Sequence, residues 1–127
     1  MADSNTPKTL LVVDDDKAIL QIMKTMLESD GFSVILCQNG REAIDALRRV
    51  KISAVLLDLH LLTPDDGFEV LSKIKSIEPE IPVIMVTGSH DEAEARRAFE
   101  LGAWDYLTKP VDFAYLKNIL LLQTGEQ

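Results

Sequence analysis

The chain has 127 residues, enough for one hydrophobic core and too few for two, and its 46% hydrophobic and 27% charged residues are a globular composition, not a disordered one. A formal net charge of -8 excludes the concentrated basic surface that nucleic-acid phosphates require, so no nucleic acid is expected to bind this domain alone. The one cysteine, Cys37, excludes an internal disulfide, and no apolar run approaches the ~20 residues of a membrane helix, so a cytoplasmic protein with no membrane partner is expected.

Met1 to Lys8 is small and polar and contains Pro7, the composition of a frayed tail. Thr9-Leu-Leu-Val-Val13 is a short unbroken apolar run, which reads as a strand buried on both faces, and it runs into Asp14-Asp15-Asp16. From Asp16 or Lys17 to Ser29, Ile19, Leu20, Ile22, Met23, Met26 and Leu27 recur with helical period, and Gly31 stands where a glycine closes a helix. Phe32 to Leu36, β-branched and aromatic, reads as the second strand. Asn39-Gly40 reads as a turn before a helix from Glu42 to Val50. Ser53-Ala-Val-Leu-Leu-Asp58 is the third strand and ends abruptly in a carboxylate.

A loop from His60 to Gly67 leads to a helix from about Phe68 to Ile77. Pro79 and Pro82 bracket the start of the fourth strand, Ile81 to Val86, which runs into Thr87-Gly88-Ser89. Asp91 and Glu94 have the spacing of a capping box for a helix that stops before Gly102. The fifth strand, Asp105 to Leu107, ends in Lys109-Pro110, and Asp112 caps a last helix in which Leu116, Ile119 and Leu120 share a face. Ile119 to Leu122 exceed what one face needs, which suits core packing, a homodimer or a neighbour outside this chain. Strands alternating with helices imply parallel βα units with right-handed crossovers, and five such units make a three-layer α/β sandwich. Periodicity leaves the strand order open.

In open α/β sheets the ligand crevice lies beyond the carboxyl ends of the strands. Here those ends deliver Asp14 and Asp15, Asp58, Thr87 and Lys109. Taken singly, an aspartate run is an N-cap and a solvated first turn, a role assigned to Asp16, and a lysine before a proline is an ordinary loop residue. Their joint occurrence, each on a separate strand, argues for a site. Clustered carboxylates repel one another unless a cation or protons intervene, and an all-oxygen donor set suits Mg²⁺ before Ca²⁺. Lys109 and the Thr87 hydroxyl then make sense beside an anion, which describes a phosphoryl site with Asp58 as nucleophile. Cys37, with no cation next to it in sequence, reads as a small apolar residue at a strand end.

Leu11-Val-Val-Asp14-Asp15, Val55-Leu-Leu-Asp58, Met85-Val-Thr87-Gly88 and Tyr106-Leu-Thr-Lys109-Pro110, in that order, resemble the receiver domain of two-component response regulators over Thr9 to Leu122. The resemblance implies a flavodoxin-like (βα)5 sandwich with a five-stranded parallel sheet in the order 2-1-3-4-5. It also implies a domain at residues 9–122, a tail at 1–8 and a tail or linker to an output domain at 123–127.

Asp58 is similar to the aspartate that accepts a phosphoryl group from a sensor histidine kinase or phosphotransfer protein. Asp15 resembles the direct Mg²⁺ ligand and Asp14 the one acting through water, with Asp58 and the backbone carbonyl of His60 completing the set. Lys109 would pair with the phosphoryl oxygens, Thr87 is similar to the switch residue, and Tyr106 to its aromatic follower. His60 and Ser89 occupy positions similar to those that tune dephosphorylation. Phosphorylation would change the surface of the fourth helix, fifth strand and fifth helix, which would control an output domain, transcription regulation among the options, or a partner, and through which a homodimer would form. Such a chain is a phosphoacceptor switch and not a turnover enzyme.

The loop from Asp58 to Gly67 departs from the family pattern. It is one residue longer, Pro64 comes later than usual, and the insertion is expected after His60, absorbed as a bulge. A doubly wound phosphatase would need a second aspartate where His60 stands, and a flavodoxin a hydroxyl- and glycine-rich loop after its first strand. A degenerate receiver that only binds partners would lack an acidic residue or the lysine, and none is missing.

Overall fold

The computed structural model describes residues 7–61 and 66–124. Strands and helices alternate as β1 (Thr9–Val13), α1 (Lys17–Ser29), β2 (Ser33–Cys37), α2 (Gly40–Arg49), β3 (Ala54–Leu57), α3 (Gly67–Ile77), β4 (Val83–Thr87), α4 (Glu92–Glu100), β5 (Asp105–Thr108) and α5 (Phe113–Gln123). Neighbouring strands pair in parallel in the order β2-β1-β3-β4-β5, the flavodoxin-like arrangement.

Side chains alternate across a strand, so an apolar run buried on both faces feeds two cores. Leu10, Val12, Ala54, Leu56, Ile84 and Val86 meet Leu20, Met23 and Leu27 of α1 and Leu116, Ile119 and Leu120 of α5. Leu11, Val13, Val55, Leu57, Val83 and Met85 meet Ala43 and Leu47 of α2, Leu71 and Ile74 of α3 and Ala98 of α4. Burying one such leucine or valine contributes roughly 1.5–3 kcal/mol. Because both faces of β3 are apolar, a one-residue slip would not expose its side chains. It would instead draw Asp58 into the sheet, where an unpaired charge is far more costly, so the terminal carboxylate helps to fix the register.

Several boundaries differ from the sequence reading for local reasons. Phe32 does not start β2; its N–H reaches back to the Leu27 carbonyl at 3.1 Å and closes α1, with Gly31 at φ +96°. Asn39-Gly40 is not a turn. Asn39 is extended and caps α2, its Oδ1 accepting from Glu42 N–H at 2.9 Å, while Glu42 Oε1 accepts from Gln38 N–H at 2.8 Å, so the helix begins at Gly40. The capping box expected from Asp91 and Glu94 is likewise not formed among the described residues. Asp91 does cap α4 by accepting from Ala93 N–H at 2.8 Å, but its own N–H goes to Ser89 Oγ at 3.2 Å. A reciprocal box forms at α3 instead, between Asp66 and Glu69.

β4 starts at Val83, after Pro82, whose carbonyl accepts from Val55 N–H at 2.9 Å. Ile119 and Leu120 belong to the core and Leu122 is exposed. Residues 1–6 of the expected tail, residues 62–65 with Pro64 and the expected extra loop residue, and residues 125–127 lie outside the described residues.

Candidate functional site

Register brings the site together. Val13 is paired with Leu57, so Asp14 and Asp58 leave adjacent strands side by side, with Asp58 N–H bonded to the Val13 carbonyl at 2.9 Å. On the other flank Thr87 is paired with Thr108, and Lys109 N–H bonds the Thr87 carbonyl at 2.8 Å. The Lys109–Pro110 peptide is cis. Alternation gives Asp14, Asp58 and Lys109 the parity of the α1/α5 face and Thr87 that of the opposite one.

Lys109 Nζ bridges the two buried carboxylates, 2.7 Å from Asp14 Oδ2 and 3.1 Å from Asp58 Oδ2. Each remaining oxygen is held by the backbone: Asp14 Oδ1 accepts from Asp16 N–H at 2.9 Å and Asp58 Oδ1 from His60 N–H at 3.2 Å. Asp15, half-buried, completes a group in which carboxylate oxygens of Asp14, Asp15 and Asp58 lie within 4.8 Å of one another. That oxygen-only set fits a hard divalent cation. Asp16 is the N-cap of α1, accepting from Ala18 and Ile19 N–H.

The electrostatics follow from burial. Burial, with the negative charge of Asp58 adding to it, raises the Asp14 carboxyl above its usual range, against the hydrogen bonds from Lys109 and Asp16. Burial alone would lower the Lys109 ammonium, but its bonds to Asp14 and Asp58 outweigh that and leave it above the usual lysine value. Cys37, buried at the end of β2, is pushed up to about 11 by burial and by nearby Glu42 and Asp45, which makes it an unreactive thiol.

Thr87 is fully buried at the end of β4, and its Oγ1 accepts from Ser89 N–H at 3.3 Å. Tyr106, half-buried on β5, donates its hydroxyl to the Ser89 carbonyl at 3.2 Å. The structure therefore gathers Asp14, Asp15, Asp58 and Lys109 into one cluster and ties Thr87 and Tyr106 to Ser89 beside it. Two contributors have no assigned site role in the sequence reading. Gly67 approaches the chain leaving β3 so closely that an added Cβ would lie 2.7 Å from the Asp58 carbonyl oxygen, and its N–H bonds the Leu59 carbonyl at 2.9 Å. Glu94 reaches from α4 to both His60 and Ser89. The glycine directly after an aspartate cap was the available signal for the first. The second depends on tertiary placement.

The sequence model of the response regulator receiver domain matches residues 10–121. The transcriptional regulatory protein GlrR of Escherichia coli (strain K12) is 36% identical over 109 residues, 86% of this chain and 24% of GlrR, so the chain spans about a quarter of that relative. Among solved structures, a CheY-like response regulator receiver domain protein from Methanospirillum hungatei JF-1 superposes with a TM-score of 0.86 at 31% identity, covering 96% of this chain and 100% of that one. The receiver domain of a sensor histidine kinase from Pseudomonas aeruginosa PAO1, with a magnesium ion in its active-site cleft, gives 0.85 at 28% identity over 95% of this chain and 100% of that one. With strand order, acidic cluster and sequence in agreement, this chain belongs to the receiver domains of two-component response regulators.

Proposed function

We propose that this receiver takes a phosphoryl group on Asp58, in a Mg²⁺-dependent reaction, from a sensor histidine kinase or a phosphotransfer protein. The observation that carries this reading is the Lys109 ammonium, held against Asp14 and Asp58 beside Asp15. A carboxylate oxygen of Asp58 attacks phosphorus. The bond from phosphorus to the donor's histidine nitrogen breaks, and the nitrogen keeps the electron pair and takes up a proton. Lys109 pairs with the phosphoryl oxygens as their charge arrives. Asp14, Asp15, Asp58 and the His60 backbone carbonyl would hold a Mg²⁺ ion, which would supply neutralising positive charge to the reaction. Water later attacks phosphorus, releases phosphate and restores the carboxylate. The group resides on the chain itself, so the domain is a switch and not a turnover enzyme.

The switch begins at Thr87. A phosphoryl group brings strong acceptor oxygens, and a buried hydroxyl on the neighbouring strand is a donor for them. Turning it toward Asp58 gives up the Ser89 N–H bond, and Tyr106, bonded to the Ser89 carbonyl, responds. The altered α4-β5-α5 surface then controls an output domain or partner, or a homodimer. A cytoplasmic setting fits this role, and no helix among the described residues is long and apolar enough to cross a membrane. An apolar groove lined by Ile19, Ile22, Met23, Val111 and Phe113 adjoins Lys109, which suits a protein donor.

The test is intact-mass spectrometry with Mg²⁺ and a small phosphodonor. The wild type is expected to gain one phosphoryl group, and Asp58→Asn or chelator-treated protein none. Persistent labelling of Asp58→Asn would move the acceptor elsewhere.

A further inference from the structure

Glu94 stands in the first turn of α4, yet among the described residues its carboxylate does not close a capping box there. Its spacing from Asp91 matches that of Asp66 and Glu69, which do close a capping box at α3. At α4 one oxygen, Oε1, instead accepts from two groups outside the helix: Ser89 Oγ at 2.5 Å and His60 Nε2 at 3.1 Å. A carboxylate oxygen can only accept, so Nε2 carries the hydrogen. Three segments are thereby tied together: the loop after β3, the loop after β4, and α4.

Both ends of this tie lead into the site. His60 N–H donates to Asp58 Oδ1, and Ser89 bonds the Thr87 hydroxyl through its N–H and the Tyr106 hydroxyl through its carbonyl. A continuous chain of hydrogen bonds thus runs from Asp58 through His60, Glu94 and Ser89 to Thr87 and Tyr106.

We propose that Glu94 is a positioning residue, a latch that holds the β4–α4 loop in its unphosphorylated arrangement and must release for the switch. The proposal rests on reading Asp58 as phosphoacceptor and Thr87 as switch residue. The Ser89 amide fixes the Thr87 hydroxyl, and Glu94 fixes Ser89 against His60. Turning Thr87 toward a phosphoryl oxygen breaks its bond to the Ser89 N–H, and the short bond from Ser89 Oγ to Glu94 holds that N–H where it favours the original Thr87 rotamer. Charge-assisted bonds are the stronger kind, although the partial exposure of Glu94 moderates this one. A contact made only in the resting state lowers the fraction of molecules competent to hold the phosphoryl group, so removing it raises apparent affinity.

The test uses the whole chain, saturating Mg²⁺ and beryllofluoride as phosphoryl stand-in, followed through the Thr87 and Gly88 amide signals by NMR. Glu94→Ala is expected to lower the half-saturating beryllofluoride concentration by about threefold, the size of shift that loss of one partly exposed resting-state contact allows. Ser89→Ala, which removes the same bond from its other end, is expected to give a comparable gain, and Glu94→Gln a smaller one; Mg²⁺ affinity should not change. A residue that merely anchored α4 would produce no gain, so equal or weaker binding by Glu94→Ala and Ser89→Ala overturns the latch. A wild type that failed to respond to beryllofluoride would overturn the phosphoacceptor reading, and the latch with it.

Discussion

The proposed role of Lys109 has one side chain serve two states. In the resting site its ammonium neutralises Asp14 and Asp58, which burial would otherwise make costly to keep charged so close together. A divalent cation held by the same carboxylates would take over that neutralisation and leave the ammonium for an arriving phosphoryl group. Two measurements on Lys109→Ala should therefore separate. Mg²⁺ affinity, by titration, is expected to be unchanged or slightly higher, because a competing cation is gone. The phosphorylation rate, by timed intact-mass spectra, should fall by roughly 10²-fold, the cost typical of losing one preorganised charge-stabilising group. Equal losses in both would contradict this division of labour.

At the scale of elements, the N-terminus of α3 packs behind Asp58, the proposed acceptor. Asp66 and Glu69 close its capping box, and Gly67 is pressed against the backbone of Asp58 and Leu59. In Gly67→Ala the new Cβ would lie 2.5 Å from Leu59 Cα and 2.7 Å from the Asp58 carbonyl oxygen, both backbone atoms that cannot swing aside. Alanine is worth at most about 1 kcal/mol over glycine inside a helix, whereas overpacking costs about 1–3 kcal/mol. The variant should melt several degrees lower and accept phosphate more slowly, as thermal denaturation and intact-mass kinetics would show; an unchanged melting temperature would mean that the loop yields freely. The helices also show what spacing can and cannot tell. Asp-x-x-Glu occurs at both α3 and α4, and only the first closes a box, because the second glutamate has partners outside its helix: Ser89 in the loop just before it and His60, 34 residues away. Asn39-Gly40 has the composition of a turn, but the chain is extended at Asn39 and the side chain caps α2.

For the whole molecule, apolar runs ending in polar residues were enough to show the parallel βα architecture and the sheet edge that carries the site. The reason is physical: strands buried on both faces cannot hold a charge until they emerge. Strand order is a tertiary property with no period in the sequence, and came through the family resemblance. The placement of Asp14 and Asp15, Asp58, Thr87 and Lys109 at one sheet edge was legible because they stand at the ends of four apolar strands, and register does the rest. The links through Glu94 and Gly67 were not, since both depend on where separate segments meet. The proposed reaction at this edge phosphorylates Asp58 and no other residue. An acyl phosphate is reduced by borohydride to an alcohol, so phosphorylated protein, trapped in this way and digested, reports the acceptor directly by peptide mass spectrometry. Homoserine is expected at position 58 alone, dependent on Mg²⁺; homoserine at 14 or 15, or phosphate retained on His60, would place the acceptor elsewhere.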